Sequence, residues 1–284
     1  MPELPEVETM KRGIAPVVGC RITAVERPRC QLRPILIAPG LAPFRRRAVG
    51  RTITALARVG KRVVVELDSG DRIVLEPRMT GLVLVADPPN QEHLRLRIAL
   101  EPGGSGRSKA EELLFWDRRG LGLVRLVSPA EFDLLYGGER LGPDALQTSA
   151  ELLRKRLGHS RRAIKVGLLD QRAVAGVGNL YASEILHLAV IDPRRRCDQL
   201  RVADWQRLHA ALVAVLDAAI RHEGSTLSDG TYRNALNQAG GYQNHHRVYD
   251  RAGEPCTICR RPIERIVQAQ RSTFFCPKCQ RGKR

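Results

Sequence analysis

Apolar residues in the first half of the chain recur mainly at alternate positions. Residues 52–59, 62–67, 72–76, 82–85, 93–100 and 121–127 are short Val-, Ile- and Leu-rich runs, which predicts six strands. Asp68-Ser69-Gly70-Asp71 predicts a tight hairpin turn, and the polar residues 101–112, with Gly103-Gly104-Ser105-Gly106, a longer one. Strands this closely spaced between residues 21 and 127 argue for a β-sandwich. The pattern changes at Ser128. Ser128-Pro129-Ala130-Glu131 and Thr148-Ser149-Ala150-Glu151 read as capping boxes that open helices. Helical patterns follow over residues 164–170, 180–188 and 198–222, then a loop-rich stretch over 223–243, and strand character returns over 263–275. The predicted fold class is α+β, with an N-terminal sandwich over 1–135, a hinge over 136–143, a helical domain over 144–243 and a C-terminal hairpin over 244–284.

The first eight residues, Met1-Pro2-Glu3-Leu4-Pro5-Glu6-Val7-Glu8, predict a short helix. Pro5 suits a first turn, Glu6 and Glu8 the positive end, Lys11 and Arg12 the negative end, and Gly13 a stop. Leu4, Val7, Met10 and Ile14 form its buried stripe, while Glu3 and Glu6 share another face beside Pro2. A capped helix with solvated glutamates accounts for this pattern. So does chemistry, because removal of Met1 makes Pro2 an α-amine with a pKa of about 8, of which roughly a tenth is neutral at pH 7. A secondary amine condenses with an aldehyde carbon to an iminium that stays cationic, an electron sink for covalent catalysis.

At 284 residues and 43% hydrophobic content the chain has room for two domains with cores of their own. No run approaches the roughly 18 apolar residues of a membrane span, and the acidic start is unlike a secretory signal. The net charge of +17 is spread over the whole chain, which points to nucleic acid rather than a membrane surface. Charge alone leaves DNA enzymes and RNA-binding proteins equally open. Seven cysteines, an odd number, suggest a reducing cytoplasm. Cys20, Cys30 and Cys197 are scattered, whereas Cys256-x2-Cys259 and Cys276-x2-Cys279, sixteen residues apart, have the spacing of a four-thiolate zinc site. Four thiolates fill the coordination shell, so one structural Zn2+ is expected, in a two-stranded hairpin with Arg271 near its turn.

Gly176-Val177-Gly178-Asn179 is a glycine turn that opens a helix and presents backbone amides to a phosphate, with Arg161, Arg162 and Lys165 upstream. Lys61 lies on a turn between two strands, His93 opens a strand, and Met79 and Leu121 read equally well as strand core.

Taken together and in this order, these motifs closely resemble the bacterial formamidopyrimidine-DNA glycosylases over nearly the whole chain. The neighbouring endonuclease VIII group has glycine where Leu4 stands. The resemblance implies a helix-two-turn-helix over residues 161–186 and a bifunctional glycosylase and abasic-site lyase acting on oxidised purines in double-stranded DNA. It assigns Pro2 as nucleophile, Glu3 as acid or base, Glu6 as its organiser, and Lys61 and Arg271 as proton donors in β- and δ-elimination. DNA contacts fall to His93, Arg161, Lys165 and Asn179. Met79, Arg119 and Leu121 match the wedge that fills the space of an extruded base, with Leu121 where phenylalanine is usual. Glu76-Pro77 replaces His-Leu, and Ser228-Asp229-Gly230-Thr231 departs from the usual run in a mobile loop over the flipped base. The expectation is a monomer of the bacterial cytoplasm, on the nucleoid, with DNA across the cleft between the two domains. An endonuclease VIII-like enzyme for oxidised pyrimidines and a non-catalytic zinc-containing DNA-binding protein are the alternatives.

Overall fold

The computed structural model describes residues 2–103, 110–138, 140–227 and 230–281. Met1, most of the glycine loop (104–109), Glu139 of the expected hinge, and Ser228 and Asp229 of the expected covering loop lie outside the described residues. The chain divides into two compact units, Met1–Gly137 with His222–Gly241, and Gly138–Arg221 with Tyr242–Arg284.

The first unit is a two-sheet sandwich. One sheet has the order β1 (Arg21–Glu26), β7 (Leu94–Glu101), β8 (Glu112–Asp117), β6 (Gly81–Leu84). The other runs β2 (Leu36–Ala38), β9 (Leu123–Val127), β5 (Arg72–Glu76), β4 (Arg62–Leu67), β3 (Ile53–Val59). All pairs are antiparallel except β2 with β9. Alternation places Val63, Val65, Ile73 and Leu75 in one core with Leu82, Leu84, Leu96, Ile98 and Leu114 of the facing sheet. Val64 and Val74, on the other face, pack with Tyr136 of α3 (Pro129–Tyr136). Helix α1 (Leu4–Gly13) sends Val7 and Met10, and its C-cap Ile14, into the sandwich core, and Phe44 and Ala48 of α2 (Leu41–Ala48) join it.

The second unit packs α4 (Ala150–Leu157) and α6 (Asn179–Leu188) on the long α7 (Val202–Arg221), with α5 (Ile164–Leu168) against α6. A hairpin of β10 (Glu264–Gln268) and β11 (Arg271–Phe275) lies on α6. Ala269 and Gln270, at φ of 46° and 62°, form its two-residue turn. Among the described residues no helix is long and apolar enough to cross a membrane.

Periodicity predicts β4 and β5 to the residue and β3, β6, β7 and β9 within two. It misses β1, β2, α2 and β8, whose start at Glu112 reads in the sequence as the end of a polar turn. Strand β8 is sandwiched between β7 and β6 and buried from Leu113 to Asp117, so Leu113-Leu114-Phe115-Trp116 carries no alternation to detect. The Ser128–Glu131 capping box forms as predicted. At α4, Ser149 rather than Thr148 is the N-cap, accepting from Leu152 N at 3.2 Å. The last long helix begins at Val202, because residues 197–199 form a separate single turn.

Candidate active site and nucleic-acid interface

Glu3 is the N-cap of α1, and Glu6 Oε2 accepts from its backbone N–H at 2.8 Å in a capping box. Pro5 fits the first turn, where its missing N–H leaves no gap in the ladder. The glutamates are not solvated: Glu3 is 3% exposed, Glu6 2% and Glu8 7%. Pro2 is buried with them. Buried carboxylates are costly unless hydrogen-bonded; the positive end of α1 lies beside Glu3 and Glu6, while the Oε2 atom of Glu3 is buried and accepts no hydrogen bond among the described residues. The second oxygen of Glu6, Oε1, accepts from Ser225 N at 2.9 Å. Gly224 stands at φ +79°, and a side chain there would lie 2.8 Å from that same oxygen. The Tyr232 phenol donates to Glu223 O at 2.9 Å; burial, then the charge of Glu6, pushes its pKa well above the usual value. The segment His222–Gly241 is thus fastened to α1 through Glu6.

Lys61 follows Gly60, at φ +56°, on the turn between β3 and β4. That turn is tied to α1: Glu8 Oε2 holds Arg58 Nε at 3.0 Å, and an Arg58 terminal nitrogen donates to Gly60 O at 2.9 Å. Lys11 and Arg12 reach the other Glu8 oxygen at 2.9 Å each. Burial pushes the Glu8 carboxyl up, but the three cations together hold it below the usual range. Sequence reasoning singles out neither Glu8 nor Arg58 for this role, because their link spans fifty positions.

Met79 is exposed just before Thr80 and β6, and Arg119 is exposed with half-buried Leu121 on the turn after β8. Gly120 (φ +61°) lets that turn pass Arg33 O, which a side chain at 120 would strike at 2.2 Å. His93 packs edge-on against Trp116, with ring centres 5.4 Å apart. Glu76 is bound by Arg62 at 2.7 Å and Arg78 at 3.0 Å, so this departure from the family pattern is an ion-paired strand end.

In the second unit Gln171 shapes the glycine turn, accepting from Gly176 N at 3.0 Å and donating to Val177 O at 2.8 Å. This turn leads into Gly178, the N-cap of α6. Lys165 is fully buried; its Nζ donates to Ser272 O and Thr273 Oγ1, both at 2.9 Å. Asn179 Nδ2 donates to the same Ser272 carbonyl at 3.0 Å. Lys165 and Asn179 therefore converge on the residue after Arg271, which is exposed at the start of β11. Arg161 is exposed ahead of α5.

The four Sγ atoms of Cys256, Cys259, Cys276 and Cys279 all lie within 4.8 Å of one another. A tetrahedral zinc with bonds of about 2.3 Å spaces its sulfurs about 3.8 Å apart, and the pairs at 3.9 and 3.4 Å fit that ion. The Arg261 backbone N–H draws the Cys259 thiol down to about 7, while burial pushes the Cys276 and Cys279 thiols up. Two residues missed in the sequence support the centre. Buried His187 sets Nε2 3.6 Å from Cys256 Sγ, and burial followed by Arg247 and Arg251 lowers its pKa to about 4, so a neutral ring faces the sulfur. Glu184 accepts from the backbone N–H groups of Arg247, Val248 and Tyr249 at 2.8–2.9 Å, anchoring the lead-in to the hairpin on α6.

Comparison with known proteins agrees along the whole chain. Residues 1–124 match a family model described as the formamidopyrimidine-DNA glycosylase N-terminal domain. Residues 141–231 match the H2TH domain of the same glycosylase, and 253–282 a zinc finger found in FPG and IleRS. The chain is similar to a formamidopyrimidine-DNA glycosylase of Chloroflexus aurantiacus, 40% identical over 99% of this chain and 98% of that one. Among solved structures it is similar to the MutM (FPG) protein of Thermus thermophilus, with a TM-score of 0.83 and 38% identity over 98% of each chain. It is also similar to the Lactococcus lactis FPG (MutM) in complex with a Fapy-dG-containing DNA, with a TM-score of 0.83 and 31% identity over 98% of this chain and 100% of that one. With this identity sustained from end to end, the chain belongs to the formamidopyrimidine-DNA glycosylase family.

Proposed function

We propose that this protein is a base-excision repair enzyme that removes oxidised purines, 8-oxoguanine and formamidopyrimidines, from duplex DNA and cleaves the strand at the resulting abasic site. The observation that carries this reading is the buried Glu3–Glu6 capping box beside Pro2. A solvated cap has no reason to bury carboxylates, whereas a proton donor beside an amine nucleophile gains from a dry setting. The family's activity and the Lactococcus relative's complex with Fapy-dG-containing DNA support the substrate class.

Once Met1 is removed, the neutral Pro2 nitrogen attacks C1′ while Glu3 delivers a proton at the sugar oxygen. The base leaves, and the iminium acidifies the C2′ proton. β-Elimination then expels the 3′ phosphate, and δ-elimination the 5′ phosphate. Lys61 and Arg271 serve these steps as positive charges on phosphate and leaving group, because groups with pKa values above about 10 are poor acids at neutral pH. Glu6 orders Glu3 and the loop bearing Ser225. Met79, Arg119 and Leu121 fill the space of the extruded base, and His93, Arg161, Lys165 and Asn179 serve the backbone, Lys165 and Asn179 through the shape of the hairpin they hold. Zinc holds that hairpin and takes no chemical part. We place the protein in the bacterial cytoplasm, on the nucleoid, as a monomer with residues 1–135 carrying the chemistry, 136–143 a hinge, and 144–243 and 244–284 gripping DNA.

Borohydride reduction with duplexes containing 8-oxoguanine, thymine glycol or an abasic site tests the proposal. A covalent adduct on 8-oxoguanine, lost in Pro2→Gly together with excision, is expected. Preference for thymine glycol would indicate a pyrimidine-specific enzyme, and no adduct even on the abasic site a non-catalytic binder. Full excision and lyase activity in Pro2→Gly would sink the proline mechanism.

A further inference from the structure

Asp117, the last residue of β8, is fully buried, and both its carboxylate oxygens are occupied by the turns that carry the wedge. Oδ1 accepts from the Thr80 hydroxyl at 2.5 Å and from Arg119 N at 3.2 Å; Oδ2 accepts from Gly122 N at 2.7 Å. Thr80 Oγ1 in turn accepts from Arg119 N at 3.0 Å. The register that pairs Gly81 with Asp117 makes these contacts possible, since it sets the turn before β6 beside the turn after β8. The backbone of Asp117 extends the network: its N–H donates to His93 O at 2.9 Å, and its carbonyl accepts from buried Arg95 Nε at 2.8 Å. Gly122 is obligatory, because a side chain there would meet the Phe115 ring at 2.6 Å and Asp117 Oδ2 at 3.1 Å. Met79 adjoins Thr80, and Arg119 and Leu121 lie two and four residues beyond Asp117, so the carboxylate ties together the two turns that carry all three side chains, while the Asp117 backbone N–H ties in the strand start at His93.

We infer that Asp117 is a positioning residue for base extrusion: it locks the two wedge turns into one rigid unit, so that Met79, Arg119 and Leu121 enter the duplex together. A buried carboxylate is suited to this because hydrogen bonds to a charged acceptor are about twice as strong as neutral ones. A wedge must also hold its shape while it unstacks a base step. The inference rests on the wedge reading of those three residues. It predicts that Asp117 matters where a base pair must be opened and matters little where no base is left to extrude.

The test uses the full zinc-loaded chain and two duplexes, one with 8-oxoguanine opposite cytosine and one with a pre-formed abasic site, each with 2-aminopurine beside the lesion to report unstacking. Asp117→Asn keeps the shape but has only one acceptor oxygen for what two now accept. It should slow excision of 8-oxoguanine about tenfold or more and suppress the unstacking signal, while borohydride trapping on the abasic duplex changes less than about threefold. Thr80→Val should reproduce the selective loss and Thr80→Ser, which keeps the hydroxyl, should not; this pair decides the matter if Asp117→Asn fails to fold. Equal loss on both duplexes, or unchanged excision and unstacking, overturns the inference. Met79→Ala and Arg119→Ala separate it from the reading beneath it. If neither shows the selective loss, the wedge assignment falls and the role of Asp117 with it. If both show it and Asp117→Asn does not, the role of Asp117 alone falls.

Discussion

The start of α1 and the approach to the zinc hairpin both bury charge, and they resolve it differently. At α1, Glu3, Glu6 and Glu8 crowd one helix end, and their partners include backbone N–H groups of α1 and the Ser225 loop together with three cations. In the second unit, Glu184 is closed off by three consecutive backbone N–H groups, and Lys165 is bound into β11. The first arrangement clusters acids beside a potential amine, so it sets groups able to move a proton next to that nitrogen. The second gives each charge a backbone partner, so it sets shape. The hairpin needs that help, because the apolar cluster beneath it is confined to residues such as Val248, Ile263 and Phe274 among the metal-site cysteines, too little to hold so small a module without metal. Burial of a charged side chain by itself therefore does not mark a catalytic residue; the company it keeps does.

The contrast breaks most readily at Glu3. Glu3→Gln should lower 8-oxoguanine excision by about 10²–10⁴-fold with little change in DNA affinity, measured by single-turnover kinetics beside a binding titration, since it removes a proton and not a fold contact. Removing zinc with a chelator, or Cys276→Ser, should do the reverse. DNA affinity should fall by roughly two orders of magnitude as the hairpin and Arg271 lose their shape, while circular dichroism of the sandwich strands persists. His187→Ala sharpens the comparison within the second unit: zinc affinity in a chelator competition should drop about 10- to 100-fold, without the loss of excision chemistry seen at Glu3 once zinc is saturating.

The smallest expected effect concerns pH. The Glu8 carboxyl is depressed in the folded protein, so its contribution to stability is complete above the unfolded value of about 4.3 and is lost as pH falls through the folded one. Thermal melts of Glu8→Gln should therefore fall less steeply than those of the parent between about pH 5 and pH 2. An identical acid slope would show that the Glu8–Arg58 link to the Lys61 turn carries no such energy.

Local pattern determined a good part of this protein. Alternation placed β4 and β5, cap chemistry placed α1 and α3, and cysteine spacing placed the metal centre, because each depends on residues within a turn or two of one another or on a spacing that few other structures use. Motif order carried the resemblance that the comparisons bear out. Tertiary structure alone decided the rest. Spacing could not tell a solvated Glu6 from a buried one, since its carboxylate meets a loop more than two hundred residues away. It could not find β8, which is buried on both faces, nor the link from Asp117 to Thr80, 37 positions off, nor Glu184, whose partners lie 63 or more positions off. A carboxylate's role is fixed by the groups that surround it in space, and only the fold brings those groups together.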